Sequence, residues 1–164
     1  MSGKAVAQDL INEGFRVDQF GAPAGFESDF LPDVLLAAEL WARDALGDTA
    51  YDSAAKDAAT VALKLAFQQL RTAEVAHASA ALWRRRALAV DSNAVAGQTG
   101  LEYLNRREYL EHATAAEARA RESLGYAATR LGITLDDNTP GSAIAVGHVE
   151  TGRFPAASST AVTA

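Results

Sequence analysis

Apolar residues recur at helical spacing in three stretches of the chain, and each stretch predicts a helix. In the first, from about Pro32 to Gly47, Val34, Leu35, Leu36, Leu40 and Trp41 leave Glu39, Arg43 and Asp44 for the other side. Asp29 can cap this helix, proline suits its early turn, and Gly47 stops it. The second stretch, from Asp52 to about Val90, holds neither Gly nor Pro. It predicts a single rod of about 60 Å at roughly 1.5 Å per residue. Val61, Leu65, Thr72, Val75, Ser79 and Leu82 form one row along it, and Leu63, Phe67, Leu70 and Ala81 a second. Asp91-Ser92-Asn93, followed by Gly97 and Gly100, predicts a loop. The third helix is expected over Leu101–Leu131, with a bend at Gly125 and a stop at Gly132. Its stripe runs through Tyr103, Leu110, Ala113, Glu117, Ala120, Leu124, Ala127, Ala128 and Leu131.

The pattern is different at both ends. Residues 1–28 carry scattered Gly, Pro23 and three phenylalanines, which predicts a short helix from about Ala5 to Glu13 and then irregular chain. Phe15, Phe20 and Phe26 are the expected pins holding that segment to the body or to a neighbour. Beyond Gly132, the turn signal at 136–141 precedes Ala143–Val149, which alternates as a strand does. An isolated strand is unstable, so it either packs on the helices or adds to a sheet from another chain, and the second is favoured. The expected fold is therefore all-α. It is an antiparallel bundle of about three helices, one very long, at 29–132, with an extended arm at 133–155 holding one or two short strands. A flexible tail is expected at 156–164.

Composition narrows the chemistry. The chain has 164 residues, 37 of them alanine and none cysteine, so helix is favoured and disulfides and thiolate chemistry are excluded. With a net charge of −6 it is not built to coat nucleic acid, and it shows neither a signal peptide nor a membrane span. Assembly in a cytoplasm is the expectation. Glu74-Val75-Ala76-His77 has the Glu-x-x-His spacing of two-metal bundles, which needs a second such motif and two further glutamates. Glu108 to His112 does not repeat the spacing, and Glu39 is the one obvious carboxylate in the first helix. Glu74 and His77 therefore read as a surface or groove-lining pair. His77, His112 and His148 stand in three elements with no nucleophile turn, and Asp136-Asp137 reads as turn chemistry. No catalytic residue, cofactor or metal ligand is assigned, and no enzyme activity is expected.

Trp83-Arg84-Arg85-Arg86 is expected to end the second helix and Arg106-Arg107 to open the third, so five arginines crowd one end of the bundle. They either complement a helix dipole and pair with Glu102, Glu108 and Glu111, or they form an interface, beside Trp83 and Tyr103, with an acidic partner or nearby nucleic acid; in a chain of charge −6 a protein partner is favoured.

Together these parts resemble the small head–tail adaptor (connector) proteins of tailed bacteriophages. The matching features are FLPDVLLAAELWARDALGD at 30–48, the long alanine-rich helix, LEYLNRREYLEHA at 101–113 and the arm at 133–155. The resemblance implies a virion protein, assembled in the host cytoplasm, that forms a homo-oligomeric ring beneath the portal. It also implies that the ring joins the portal to a tail or nozzle protein, lets DNA pass without specific binding, and docks through its C-terminal arm. The interface expected on this reading comprises Trp83, Arg84, Arg85, Arg86, Arg106, Arg107, Ile144, Val146, Val149 and Phe154. A non-viral helical protein–protein interaction module is the alternative.

Overall fold

The computed structural model describes residues 3–16, 30–94 and 101–135, with the side chains of 89–94 and 101–105 excepted. Five helices follow one another: α1 (Ala7–Asn12), α2 (Phe30–Leu46), α3 (Asp48–Ser53), α4 (Val61–Ala94) and α5 (Leu101–Leu131). The expected strand at 143–149, with Ile144, Val146 and Val149, lies outside the described residues, as do Phe154, Phe20, Phe26 and Asp29. No described helix is long and apolar enough to cross a membrane.

Glycine sets three of the helix ends. Gly132 takes φ +73°, and the amides of Gly132 and Ile133 bond the carbonyls of Thr129 (3.2 Å) and Ala128 (2.9 Å). That is a Schellman closure, and it turns Ile133 back onto the core beside Ala128. Gly14 (φ +92°) repeats it after α1, placing buried Phe15 against Leu10. Gly47 (φ +80°) closes α2 with a single bond from its amide to the Arg43 carbonyl (2.7 Å), and its own carbonyl then accepts from the Tyr51 amide.

α4 is the central helix, antiparallel to both α2 and α5. Two hydrophobic clusters lie along it. One joins Ala42 and Leu46 of α2, Tyr51 and Ala54, Ala66, Leu70 and Ala73 of α4, and Leu124, Ala127 and Ala128 of α5. The other joins Ala5, Leu10 and Phe15 to Leu31, Leu35 and Ala38 of α2 and Ala78 and Leu82 of α4. Where α4 is enclosed its buried positions are mostly alanine, so the helix axes approach closely with little side-chain volume between them.

The structure corrects the expected rod in three places. The helix does not begin at Asp52: α3 ends at Ser53, the chain is extended at Ala54 (ψ 112°), and α4 starts at Val61 after Thr60 caps the Leu63 amide (3.3 Å). Helix propensity over this alanine-rich stretch loses to tertiary bonds, because Arg43 holds Asp48 (3.1 Å) and Asp52 (2.9 Å) while Lys4 Nζ donates to the Ala54 carbonyl (2.6 Å). Of the two predicted rows, Leu70, Ser79 and Leu82 are buried, but Val61 and Ala81 are exposed, and Ala66, Ala73 and Glu74, outside both rows, are buried. Arg84, Arg85 and Arg86 do not end α4, which continues to Ala94 and leaves them more than a turn from its terminal carbonyls. On α5, Leu110 faces solvent rather than the bundle.

The largest correction concerns α2. Its buried face is rotated from the expectation: Leu35 is buried and Asp44 exposed as expected, but Glu39 and Arg43 are also buried, whereas Leu36 and Leu40 are 51% and 55% exposed.

Candidate functional site

The inward polar face of α2 belongs to a buried network. Glu74, on α4 and fully buried, accepts from the Tyr51 hydroxyl through Oε1 and from the Ala5 amide through Oε2 (2.8 Å). The Tyr51 hydroxyl in turn accepts from the Lys4 amide (3.3 Å). Arg43 lies over the Tyr51 ring, 4.3 Å from its centroid, and donates to Glu39 Oε1 (2.8 Å). Gly3 lies close to both carboxylates, since a Cβ there would stand 3.1 Å from Glu39 Oε2 and 3.4 Å from Glu74 Oε2.

The titration of these groups follows from burial and pairing. Burial raises the Glu74 carboxyl above its usual value, outweighing the bonds from Tyr51 and Ala5. Burial, reinforced by the Glu74 contact, also pushes the Tyr51 hydroxyl up, so it remains a proton donor. Lys4 is lowered by burial. Arg43 is raised by its bonds to Asp52 and Glu39. With both Glu74 oxygens engaged, the network fastens residues 3–6 across α3 and α4. A second fastening lies outside it, where Arg71 donates to Asp9 (Nε to Oδ2, 2.9 Å), and that bond lowers the Asp9 carboxyl.

Glu74 is thus fully buried, where a surface or groove-lining position was expected, and it diverges from His77. The His77 ring stacks on Trp41 of α2 (centroids 4.3 Å apart, 13° between planes), and burial lowers its pKa despite nearby Glu117. Among the described residues, no three His, Asp or Glu side chains converge as a metal site would require.

The arginine-rich region engages side chains of its own chain. Arg84 bridges to Glu117 on α5, Arg85 lies over Phe30 (4.1 Å), and Arg86 lies over Trp83 (4.9 Å) and Phe15 (5.5 Å). Trp83 is half-buried, stacked on Tyr109 (5.6 Å) and His112 (4.9 Å) with Phe15 at its edge (5.2 Å). Arg107 pairs with Glu111 one turn along (2.8 Å), while Arg106 shares the outer face of α5 with it. Arg84, Arg85 and Arg86 therefore supply contacts from α4 to other parts of the chain, which sequence spacing alone could not separate from an external interface.

Two outward surfaces remain. Asp33, Leu36, Ala37, Leu40 and Asp44 form an exposed strip on α2. On α5, Leu110, Thr114, Ala115 and Ala118 line an open, largely apolar groove that begins at Arg106 and Arg107. Comparison with protein-family models, curated proteins and solved structures finds no match to this chain.

Proposed function

We propose that the protein is a structural assembly component rather than an enzyme: a head–tail adaptor of a tailed phage, forming a ring beneath the portal. The rotation of α2 carries this reading. A helix that buries Glu39 and Arg43 while leaving Leu36 and Leu40 outside presents an apolar strip of the kind that assembly covers. The alanine-lined contact between α4 and α5 supports it, because close packing suits a stiff spacer. On this reading the arm at 133–155 docks on the portal and residues of the ring face a tail or nozzle protein.

The test mixes the purified chain with portal protein and images the mixture by negative stain. Rings coaxial with the portal are expected. Removing residues 136–164 keeps Ile133 and Leu135, which pack on the core, and should leave helix content unchanged while abolishing docking. A chain that stays monomeric with portal present overturns the proposal and favours the stand-alone interaction module.

A further inference from the structure

We infer that the cleft between α1, α4 and the middle of α5 binds a free aromatic α-amino acid of the tyrosine type. The hydroxylated ring enters an inner cavity, and the ammonium and carboxylate meet an ion pair at its mouth. A single copy of the chain forms the whole site, so it does not depend on the assembly proposed above.

The inner cavity has a volume of about 210 Å³. Val75, Ser79 and Trp83 reach it from α4, where a spacing of four residues sets them in one row. Ala115 and Ala116 of α5 supply a wall of small side chains. The reversal at Gly14 (φ +92°) brings Phe15 to the third side, edge-on to Trp83 with centroids 5.2 Å apart. An apolar cavity of about 150 Å³ holds benzene, so this one takes a ring that carries a substituent.

Ser79 is the polar point of that chamber. The residue is 6% exposed, its Oγ is buried, and among the described residues the hydroxyl has no hydrogen-bond partner. Helical hydroxyls commonly donate to the carbonyl four residues back. Thr72, Thr114 and Thr129 do so here, to Gln68, Leu110 and Gly125. Ser79 lines the cavity instead. A buried hydroxyl without a partner costs folding free energy, and a ligand hydroxyl seated beside it recovers that cost. Serine both donates and accepts, so a phenol pairs with it in either sense.

Charge selects the other end of the ligand. Glu13 and Arg119 line both this cavity and an adjoining one of about 410 Å³, so they stand where the two meet. The charged residues of the two cavities are Asp9, Glu13, Arg71 and Arg119, two of each sign, which disfavours a phosphorylated ligand. Arg71 is committed to both oxygens of Asp9. Arg119 and Glu13 are 3.9 Å apart, beyond hydrogen-bond length, and their side chains are 59% and 44% exposed. A carboxylate on Arg119 and an ammonium on Glu13 replace that long contact with two short ones. An α-amino acid carries both groups on one carbon.

Calorimetric titration of the full-length protein with L-tyrosine, L-phenylalanine and tyramine tests the site. Tyrosine should bind about tenfold more tightly than phenylalanine, the ratio expected of one hydrogen bond. Ser79→Ala should keep its far-UV circular dichroism and erase that preference by weakening tyrosine alone. Arg119→Gln should weaken tyrosine about tenfold and leave tyramine, which has no carboxylate, unchanged. Ala116→Leu fills the cavity without removing a polar group and should abolish binding of all three. A wild-type chain that binds no tyrosine overturns the inference. So does equal affinity for tyrosine and phenylalanine, or a preference that survives Ser79→Ala.

Discussion

Tyr51→Phe isolates the bond that fastens the N-terminal segment. The substitution keeps the ring, so Arg43 still stacks at 4.3 Å and Lys4 still lies 4.6 Å from the centroid. It deletes one hydroxyl, which donates to the buried Glu74 carboxylate and accepts the longer bond from the Lys4 amide (3.3 Å). A hydrogen bond to a charged group contributes about 1.5–3 kcal/mol, and a buried acceptor left without its donor adds a desolvation cost. The Lys4 bond is at the long end and adds little. The expected loss is therefore about 2–3 kcal/mol, a sizeable part of an ordinary folding free energy of about 5–15 kcal/mol. For a chain of this size it corresponds to roughly 4–12 °C in Tm. Urea unfolding followed by circular dichroism at fixed concentration measures the loss, and amide exchange at Ala5 and Leu10 locates it. Those amides should exchange faster while the middle of α4 stays protected. A double-mutant cycle with Glu74→Gln should return a coupling above about 0.5 kcal/mol. A loss within the ±0.5 kcal/mol typical of surface substitutions would refute the reasoning, as would a vanishing coupling.

Three further outcomes are expected. Arg43→Met leaves Glu39 buried without its partner and should cost about 3–5 kcal/mol in urea unfolding; a loss below 1 kcal/mol would mean solvent reaches Glu39. Gly47→Ala and Gly125→Ala should move Tm in opposite directions, although a Cβ meets nothing within 4 Å at either site. Gly47 has φ +80° and should lose about 1 kcal/mol, whereas helical Gly125 should gain about 0.5–1 kcal/mol, and shifts of the same sign would contradict this. Burial lowers the His77 pKa, so the folded chain binds that proton less readily than the unfolded one. Stability should then fall as pH drops below the usual 6.5 towards the lowered value, and a His77→Phe variant, which keeps a ring on Trp41, should lose that component of the slope. Identical pH profiles for the two proteins would exclude it.

Periodicity revealed the helices whose neighbours are apolar. α5 appears over the expected residues, Gly132 and Gly47 stop their helices as their positions suggested, and Phe15 is the pin it was expected to be. The break at 54–60 was not legible, because nothing local in an alanine-rich run opposes helix; the cause is Lys4 and Arg43, distant in sequence. Tyr51 was missed for the same reason, its role depending on a carboxylate 23 residues away. The Glu-x-x-His signal drew attention to Glu74, read from sequence as surface or groove-lining, whereas the side chain is fully buried. A carboxylate preceding a histidine by one turn reports only a shared face, and here the two side chains meet different helices.

The rotation of α2 has an energetic consequence for assembly. Turning Leu36 and Leu40 inward would recover apolar burial but carry Glu39 and Arg43 to the surface. It would break the bonds from Arg43 to Asp48 and Asp52, and with them contacts that hold α3. The isolated chain therefore keeps its polar network and leaves the leucines half exposed. Full burial of a leucine is worth about 1.5–3 kcal/mol, so covering the remaining half of each offers roughly 2 kcal/mol per contact from these two side chains alone. A single contact of that strength is weak against the entropy of association. Repeated around a closed ring, with every copy held on both sides, it becomes cooperative. On the proposed reading, a portal above the ring would be the template that gathers the copies.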